Sequence, residues 1–238
     1  TGIPILLEKP IGTVNDPLDE WVEISQSATS KIYVGYVLRF DPCYKIVKEI
    51  IDSNRLGNLV YCYFHSGSWL PSWRAKDYRE SVSAKNYLGG GVIAELSHEL
   101  DLAINLFGQV NMNWANTMKS GFLDIDVEDL MSLEGSTDLV KKLSIHLDFC
   151  TAESRRFLLV RGDKDELIWD INKGKISLTD SNKESVIYEK VVDKNKRLRN
   201  QLESIILNKS KNNISPCNLS EGLLVLRLMK QIKDFSVK

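Results

Sequence analysis

Long hydrophobic runs, paired cysteines and a charge excess are all missing from this 238-residue chain. No stretch approaches the ~18 apolar residues of a membrane-spanning helix, and no charged segment leads into an apolar one as in a secretory leader. The four cysteines, Cys43, Cys62, Cys150 and Cys217, stand far apart with no C-x-x-C among them, a spacing that fits neither a disulfide framework nor a zinc motif. A reducing cytoplasm is therefore the expected location. Lys and Arg total 31 against 32 Asp and Glu, a net charge of −1. Nucleic-acid binding needs clustered cations to neutralise phosphates, so neither nucleic acid nor membrane is an expected partner. The one basic run, "DKNKRLRN" at 193–200, reads as a solvated loop or helix start. G-x-G-x-x-G, G-x-x-x-x-G-K-[ST] and G-x-S-x-G are also missing, so the sequence carries neither a phosphate-cradling loop nor a nucleophile elbow.

What is there has a globular composition, 43% hydrophobic and 26% charged, enough for one large domain or two small ones. "TGIPILLEKP" enters a strand at once. Its Ile3, Ile5, Leu6 and Leu7 form the continuous apolar run of a strand covered on both faces. "NDPLDEWVEISQSATS" reads as a helix, with Asp16 as cap, Pro17 in the first turn, and Leu18, Trp21, Val22 and Ile24 as its apolar side. "KIYVGYVLRF" at 31–40 reads as a second buried strand. Together these spell β-α-β, the unit of a parallel sheet, and two strands alone call for further partners. A chain that opens inside such a sheet reads as part of a longer protein.

A helix is then predicted from Pro42, with Ile46, Val47, Ile50 and Ile51 as its stripe and Gly57 as its end. Beyond it the period changes to two. In "LVYCYFHSG" (59–67), Val60, Cys62 and Phe64 alternate with Tyr61, Tyr63 and His65. In "KKLSIHLDF" (141–149), Leu143, Ile145, Leu147 and Phe149 alternate with Ser144, His146 and Asp148. Such alternation marks antiparallel strands packed on one side. "RRFLLVRGDKDELIWDINKGKISLTD" continues with short strands and turns, and "NLSEGLLVLRLMKQIKDF" reads as an amphipathic helix capped by Ser220. The expected fold is α+β. A large open, predominantly antiparallel sheet with helices on one face fills residues 42–238, and the β-α-β remnant fills residues 1–41.

The least bland stretch is "YLGGGVIAELSHELDLAINLFG" at 87–108. On a helical wheel Ile93, Leu96, Leu100, Ala103, Ile104 and Phe107 share one face, while Glu95, His98, Asp101 and Asn105 share the other. His98 is three residues from both Glu95 and Asp101, and a carboxylate beside an imidazole can tune it for acid–base work. The same pattern also describes the wet face of an ordinary helix. No second His follows at i+4, so no metal site is expected. Ligands of open α/β sheets gather beyond the carboxyl ends of strands, which places Lys9 of "EKP" and Arg39 there. "SWLPSWRAKDYRES" (68–81) concentrates Trp, Arg and Tyr in one loop, a surface suited to sugars, anions or a protein partner. His65 and His146 read as structural or interfacial.

Taken in order, "LLEKP", "VGYVLRFDP", "LPSWRAKDYRES", "GGGVIAELSHELDLAINLFG" and "NLSEGLLVLRLMKQI" resemble the later part of Gfo/Idh/MocA oxidoreductases, over essentially the whole chain. The resemblance implies that residues 1–41 are the last strands of a Rossmann domain and residues 42–238 a substrate-binding and oligomerisation domain. It implies NAD or NADP as cofactor, with Glu8, Lys9, Pro10 and Arg39 on the cofactor side and a cis proline at Pro10. It implies Lys9 and His98 as catalytic residues, with Trp73, Arg74, Tyr78 and Glu95 joining them in substrate binding. Many members carry Asp four residues before the histidine, where this chain has Ala94. The "ELSHELD" wording is similar to members acting on amino sugars or nucleotide sugars. The implied activity is hydride transfer at a sugar or nucleotide-sugar hydroxyl, in a homodimer or homotetramer joined through the open sheet, with residues 1–238 alone inactive. The alternative is a non-catalytic assembly or binding module that uses the open sheet to dimerise. A hydrolase using Glu95 and His98 is a third reading.

Overall fold

Strand β1 (Ile5–Leu7) pairs in parallel with β2 (Ile32–Val34) through helix α1 (Leu18–Ser27). The computed structural model describes residues 3–27, 30–180, 183–191, 193–207 and 214–236. A two-residue strand far along the chain, β11 (Cys217–Asn218), adds to the other edge of β2 in antiparallel sense. The apolar side chains of β1 stay exposed, at 43% for Ile5 and 37% for Leu6 and Leu7. Its sequence asks for cover on both faces, and the described residues do not provide it.

The second expected strand stops at Val34, six residues short of Phe40. Val37–Phe40 instead form a buried 3-10 turn. The reason is Arg39, whose guanidinium is drawn inward to Asp101 and Glu221. Asp41 then caps helix α2 (Pro42–Asp52), accepting from the Cys43 N–H at 2.8 Å. Pro42 fits the first turn because its missing N–H is one the helix would leave unpaired.

The large sheet has eight strands. In chain order they are β3 (Leu59–Gly67), β4 (Asn111–Met118), β5 (Leu130–Ser136), β6 (Lys142–Asp148), β7 (Arg155–Gly162), β8 (Glu166–Asp170), β9 (Lys175–Asp180) and β10 (Lys183–Glu189). Across the sheet they run β10-β9-β8-β7-β3-β6-β5-β4. Only β3 and β6 pair in parallel, and every other neighbour is antiparallel. Period-two alternation puts Cys62 and Phe64, Leu143, Ile145 and Leu147, and Leu158 and Val160 into the core. Tyr63, His65, Ser132, His146 and Phe157 line the opposite, partly solvated face.

Helices cover the first face. Helix α4 (His98–Phe107) lies on β3, where Phe107 meets Phe64 edge-on with ring centroids 6.1 Å apart. Helix α5 (Lys194–Ile206) packs on the 3-10 turn, and α6 (Leu219–Ser236) packs on β4, α1, α4 and β2. Ser220 is exposed and does not cap α6. Asn218 does: its Oδ1 accepts from the Glu221 N–H, and Glu221 Oε2 accepts from the Asn218 N–H, both at 2.9 Å. That reciprocal pair is a capping box, shifted two residues from the expected start. All four cysteines are free, and among the described residues no helix is long and apolar enough to cross a membrane.

Candidate active site

The 87–108 stretch is two helices. Short helix α3 (Val92–Glu95) ends at Leu96, and α4 begins at His98. The break has an identifiable cause in two carbonyls. Ala94 O accepts from Ser97 Oγ at 3.0 Å, and Glu95 O accepts from Lys9 Nζ at 2.7 Å. These are the acceptors that the His98 and Glu99 N–H groups would need to carry one helix through. The Glu99 N–H turns instead to Leu96 O at 3.3 Å. Two glycines ahead of α3 are needed for packing against the chain itself. A Cβ on Gly90 would stand 2.2 Å from Val82 O, and one on Gly91, at φ +112°, would stand 2.3 Å from Glu128 Oε1.

The expected wet face of this segment is partly drawn in: Asp101 is buried and held by Arg39, while Glu95, His98 and Asn105 are half-buried. Glu99, outside that face, is also buried and is held by Arg156. Neither Glu95 nor Asp101 is hydrogen-bonded to His98 among the described residues. The helix break turns Glu95 away to Lys9 and Ser83, and Arg39 takes the Asp101 carboxylate. Burial pushes the Asp101 carboxyl up, against the opposing pull of the Arg39 charge.

Lys9 lies two residues past the carboxyl end of β1, and the Lys9–Pro10 peptide bond is cis. Its ammonium makes one close bond, to Glu95 O, and two long contacts at 3.5 Å, to Ala94 O and Glu95 Oε2. Ser83 Oγ donates to the other carboxylate oxygen, Oε1, at 2.9 Å. His98 sits beside this group with its ring edge-on to Tyr36, centroids 5.6 Å apart. Its Nδ1 is buried and has no hydrogen-bond partner among the described residues. Burial first, then the charges of Arg156 and Lys9, hold the His98 pKa well below the ordinary histidine value, so the imidazole is neutral at pH 7.

Ser83 also lines a cavity of about 200 Å³, whose wall includes Leu70, Trp73, Arg74, Asp77 and Tyr78. Trp73 is fixed by its indole N–H on Ser68 Oγ at 2.9 Å and by an edge-on contact with Phe149. The Tyr78 hydroxyl accepts from the Asp124 N–H at 3.2 Å. Sequence-predicted Trp73, Arg74 and Tyr78 thus share one pocket, which Lys9, Glu95 and His98 do not line; Ser83 on its wall bonds Glu95, and Glu95 in turn meets Lys9. Glu8 and Pro10 flank Lys9 on the chain, Glu8 exposed and Pro10 half-buried.

Arg39 does not join them. It is 1% exposed, and its guanidinium is spent on Asp101 and Glu221, so its expected place on the cofactor side gives way to a role inside the fold. Ser83 on Glu95, and Tyr36 and Arg156 near His98, adjoin the predicted residues without having been singled out in the sequence. Tyr36 lies within the predicted second strand, and nothing in the sequence around Ser83 or Arg156 singles them out.

The pattern described as "Oxidoreductase family, C-terminal alpha/beta domain" matches residues 48–234. The chain is 26% identical over 137 residues to a 2,7-anhydro-N-acetylneuraminate hydratase of Mediterraneibacter gnavus, a match covering 55% of this chain and 35% of that protein. It is 28% identical over 140 residues to an inositol 2-dehydrogenase of Saccharopolyspora erythraea, covering 58% of this chain and 38% of the relative. The chain thus spans under half the length of either relative. Among solved structures, an NAD binding oxidoreductase from Klebsiella pneumoniae superposes with a TM-score of 0.82 at 16% identity, over 98% of this chain and 72% of that one. With most of its length matched by the family pattern, the chain belongs to the Gfo/Idh/MocA oxidoreductases, of which it carries the C-terminal α/β domain.

Proposed function

We propose that the protein to which this chain belongs is a nicotinamide-dependent oxidoreductase acting on a hydroxyl of a sugar, cyclitol or nucleotide-sugar. We further propose that residues 1–41 continue a Rossmann sheet and residues 42–238 bind substrate. The observation that carries the reading is His98, a neutral imidazole with a buried, unpartnered Nδ1 beside the Lys9 ammonium. The two relatives named above, acting by name on inositol and on a sialic-acid derivative, support a polyhydroxylated substrate.

The chain's own chemistry is direct. An ammonium has three donors, and Lys9 commits only one of them at close range, so it can donate to a substrate oxygen while holding Glu95 O. Neutral His98 takes the hydroxyl proton on its ring. Burial and the charges of Arg156 and Lys9 disfavour the imidazolium so formed, which makes it a ready acid in the reverse direction. Trp73 and Tyr78 offer ring faces and Arg74 a forked donor to the remainder of the substrate. Glu8, Lys9 and Pro10, beyond the carboxyl end of β1, suit the nicotinamide end of the cofactor. The pyrophosphate-binding glycine turn is not among the residues of this sequence. A bound nicotinamide supplies or takes the hydride.

The test is turnover and NAD(P)H binding by the full reading frame containing these residues, screened against inositols, aldoses and nucleotide sugars. Lys9→Met and His98→Gln should each lower kcat by about 10²–10⁴ while NAD(P)H still binds. Unchanged turnover in both variants would overturn the assignment.

A further inference from the structure

The open face of the eight-stranded sheet carries a cluster that the oxidoreductase reading does not use. His65 on β3 and His146 on β6 are direct partners in the parallel register, and Gly67 pairs with Asp148 two residues on. All three side chains project from the face opposite α4, since Phe64 on the alternate register meets α4 in the core. One ligand atom from each of His65, His146 and Asp148 lies within 4.8 Å of the other two. We propose that these three residues bind a divalent transition-metal ion of the Zn²⁺ type, with the remaining coordination positions open to water or an exogenous ligand.

The surroundings are arranged as a metal site requires. Metal-bound histidines commonly engage their second ring nitrogen with an oxygen, which fixes the ring and leaves the first nitrogen to the ion. Here the Tyr63 hydroxyl lies 3.3 Å from His65 Nδ1, and Ser132 Oγ lies 3.0 Å from His146 Nδ1. That leaves the two Nε2 atoms. His65 Nε2 is buried with no hydrogen-bond partner among the described residues, and His146 Nε2 is 3.4 Å from Asp148 Oδ2.

Asp148 is held from behind. Its Oδ1 accepts from the Cys150 and Thr151 N–H groups at 2.8 and 2.6 Å, and its Oδ2 accepts from Thr151 Oγ1 at 2.9 Å. Gly67 makes room for it, since a Cβ there would lie 2.3 Å from Asp148 Oδ2.

Two imidazoles and a carboxylate are the donor set of a three-ligand zinc centre, and imidazole favours such ions over Mg²⁺ and Ca²⁺. Zinc bonds of about 2.0–2.1 Å in tetrahedral array put ligand atoms roughly 3.3 Å apart. The His146–Asp148 pair already has that spacing. The His65 and His146 rings are stacked at 14° with centroids 5.3 Å apart, so binding must tilt them toward each other. The positive charge nearest in register is Arg155 on β7, opposite Gly67. It is exposed and free to swing away.

The test uses chelator-treated full chain titrated with Zn²⁺ in calorimetry, and with Co²⁺ followed by its visible d–d bands. One ion per chain is expected, with Co²⁺ bands of low-coordination intensity and binding at least about 100-fold weaker for Mg²⁺. His65→Ala and His146→Ala should abolish stoichiometric binding, and Ser132→Ala should weaken it by about 10–100-fold by removing only an outer partner. Circular dichroism establishes that each variant is folded, and the Co²⁺ spectrum of the unaltered protein needs no variant. Substoichiometric Zn²⁺, equal affinity for Mg²⁺, or undiminished binding in His146→Ala would each overturn the proposal.

Discussion

Arg39 is the residue whose role changes most between sequence and structure, and Arg39→Met tests the change. Arg39 Nε donates to both Asp101 oxygens at 3.0 and 3.2 Å, and Nη2 donates to Oδ1 at 2.6 Å. Both side chains are 1% exposed. Nη1 donates to Glu221, which is 31% exposed and can be hydrated instead. Removing the guanidinium leaves the Asp101 carboxylate buried with its main partner gone, a loss of about 3–5 kcal/mol. With a urea m-value of about 3 kcal/mol/M, the unfolding midpoint should fall by more than roughly 1 M. Asp101→Asn should cost less, about 2 kcal/mol, because Arg39 keeps Glu221 and a neutral acceptor. Arg39→Met combined with Asp101→Asn removes both charges and should recover part of the loss, giving a coupling of at least about 2 kcal/mol. The assay is equilibrium urea unfolding of the four proteins followed by fluorescence. If Arg39→Met stays within about 1 kcal/mol of the parent and instead weakens NAD(P)H, the guanidinium serves a ligand and the reasoning fails.

Three further outcomes follow from the geometry. His98 binds protons less readily folded than unfolded, so its contribution to stability is present above the unfolded value of about 6.5 and lost as pH falls through the lowered folded pKa. Stability of the parent should therefore drop more steeply than that of His98→Asn below about pH 6.5, and the His98 ring protons should not titrate near 6.5 in NMR. Gly91 and Gly108 both have positive φ, but a Cβ is crowded only at Gly91. Gly108→Ala should cost the backbone strain alone, about 1–3 kcal/mol, and Gly91→Ala clearly more, with a matching loss of kcat as α3 shifts. At the start of α6, Asn218→Ala should cost about 1 kcal/mol and Ser220→Ala under about 0.5 kcal/mol in thermal unfolding.

The central strands β3 and β6 were legible because each has one buried and one solvated face, which writes itself as strict alternation. β4 and β10 were not: most of their residues are exposed, so no apolar period marks them. The break between α3 and α4 was invisible for a different reason. The wheel over 93–107 is sound, and what interrupts it is the Ser97 hydroxyl together with a lysine 86 residues from Glu95. Arg39 misled because an apolar run ending in a cation looks alike whether the cation meets solvent or a buried carboxylate. Lys9, His98, Glu95 and the Trp73–Tyr78 loop were singled out through the order of motifs. Ser83, which bonds Glu95 and lines the cavity of that loop, needed the folded chain. His65, His146 and Asp148 lie on two strands joined only by register, so no local spacing reveals them together.

The bond from the Lys9 ammonium to the Glu95 carbonyl makes the end of β1 part of the geometry of His98. Displacing Lys9 loosens its hold on that carbonyl, and the N–H of Glu99 is the helical donor positioned to claim it. The position of the Lys9 ammonium and the facing of the imidazole are then a single coordinate. A fold built this way carries a shift at the end of one strand into the orientation of a ring on a helix of the other layer.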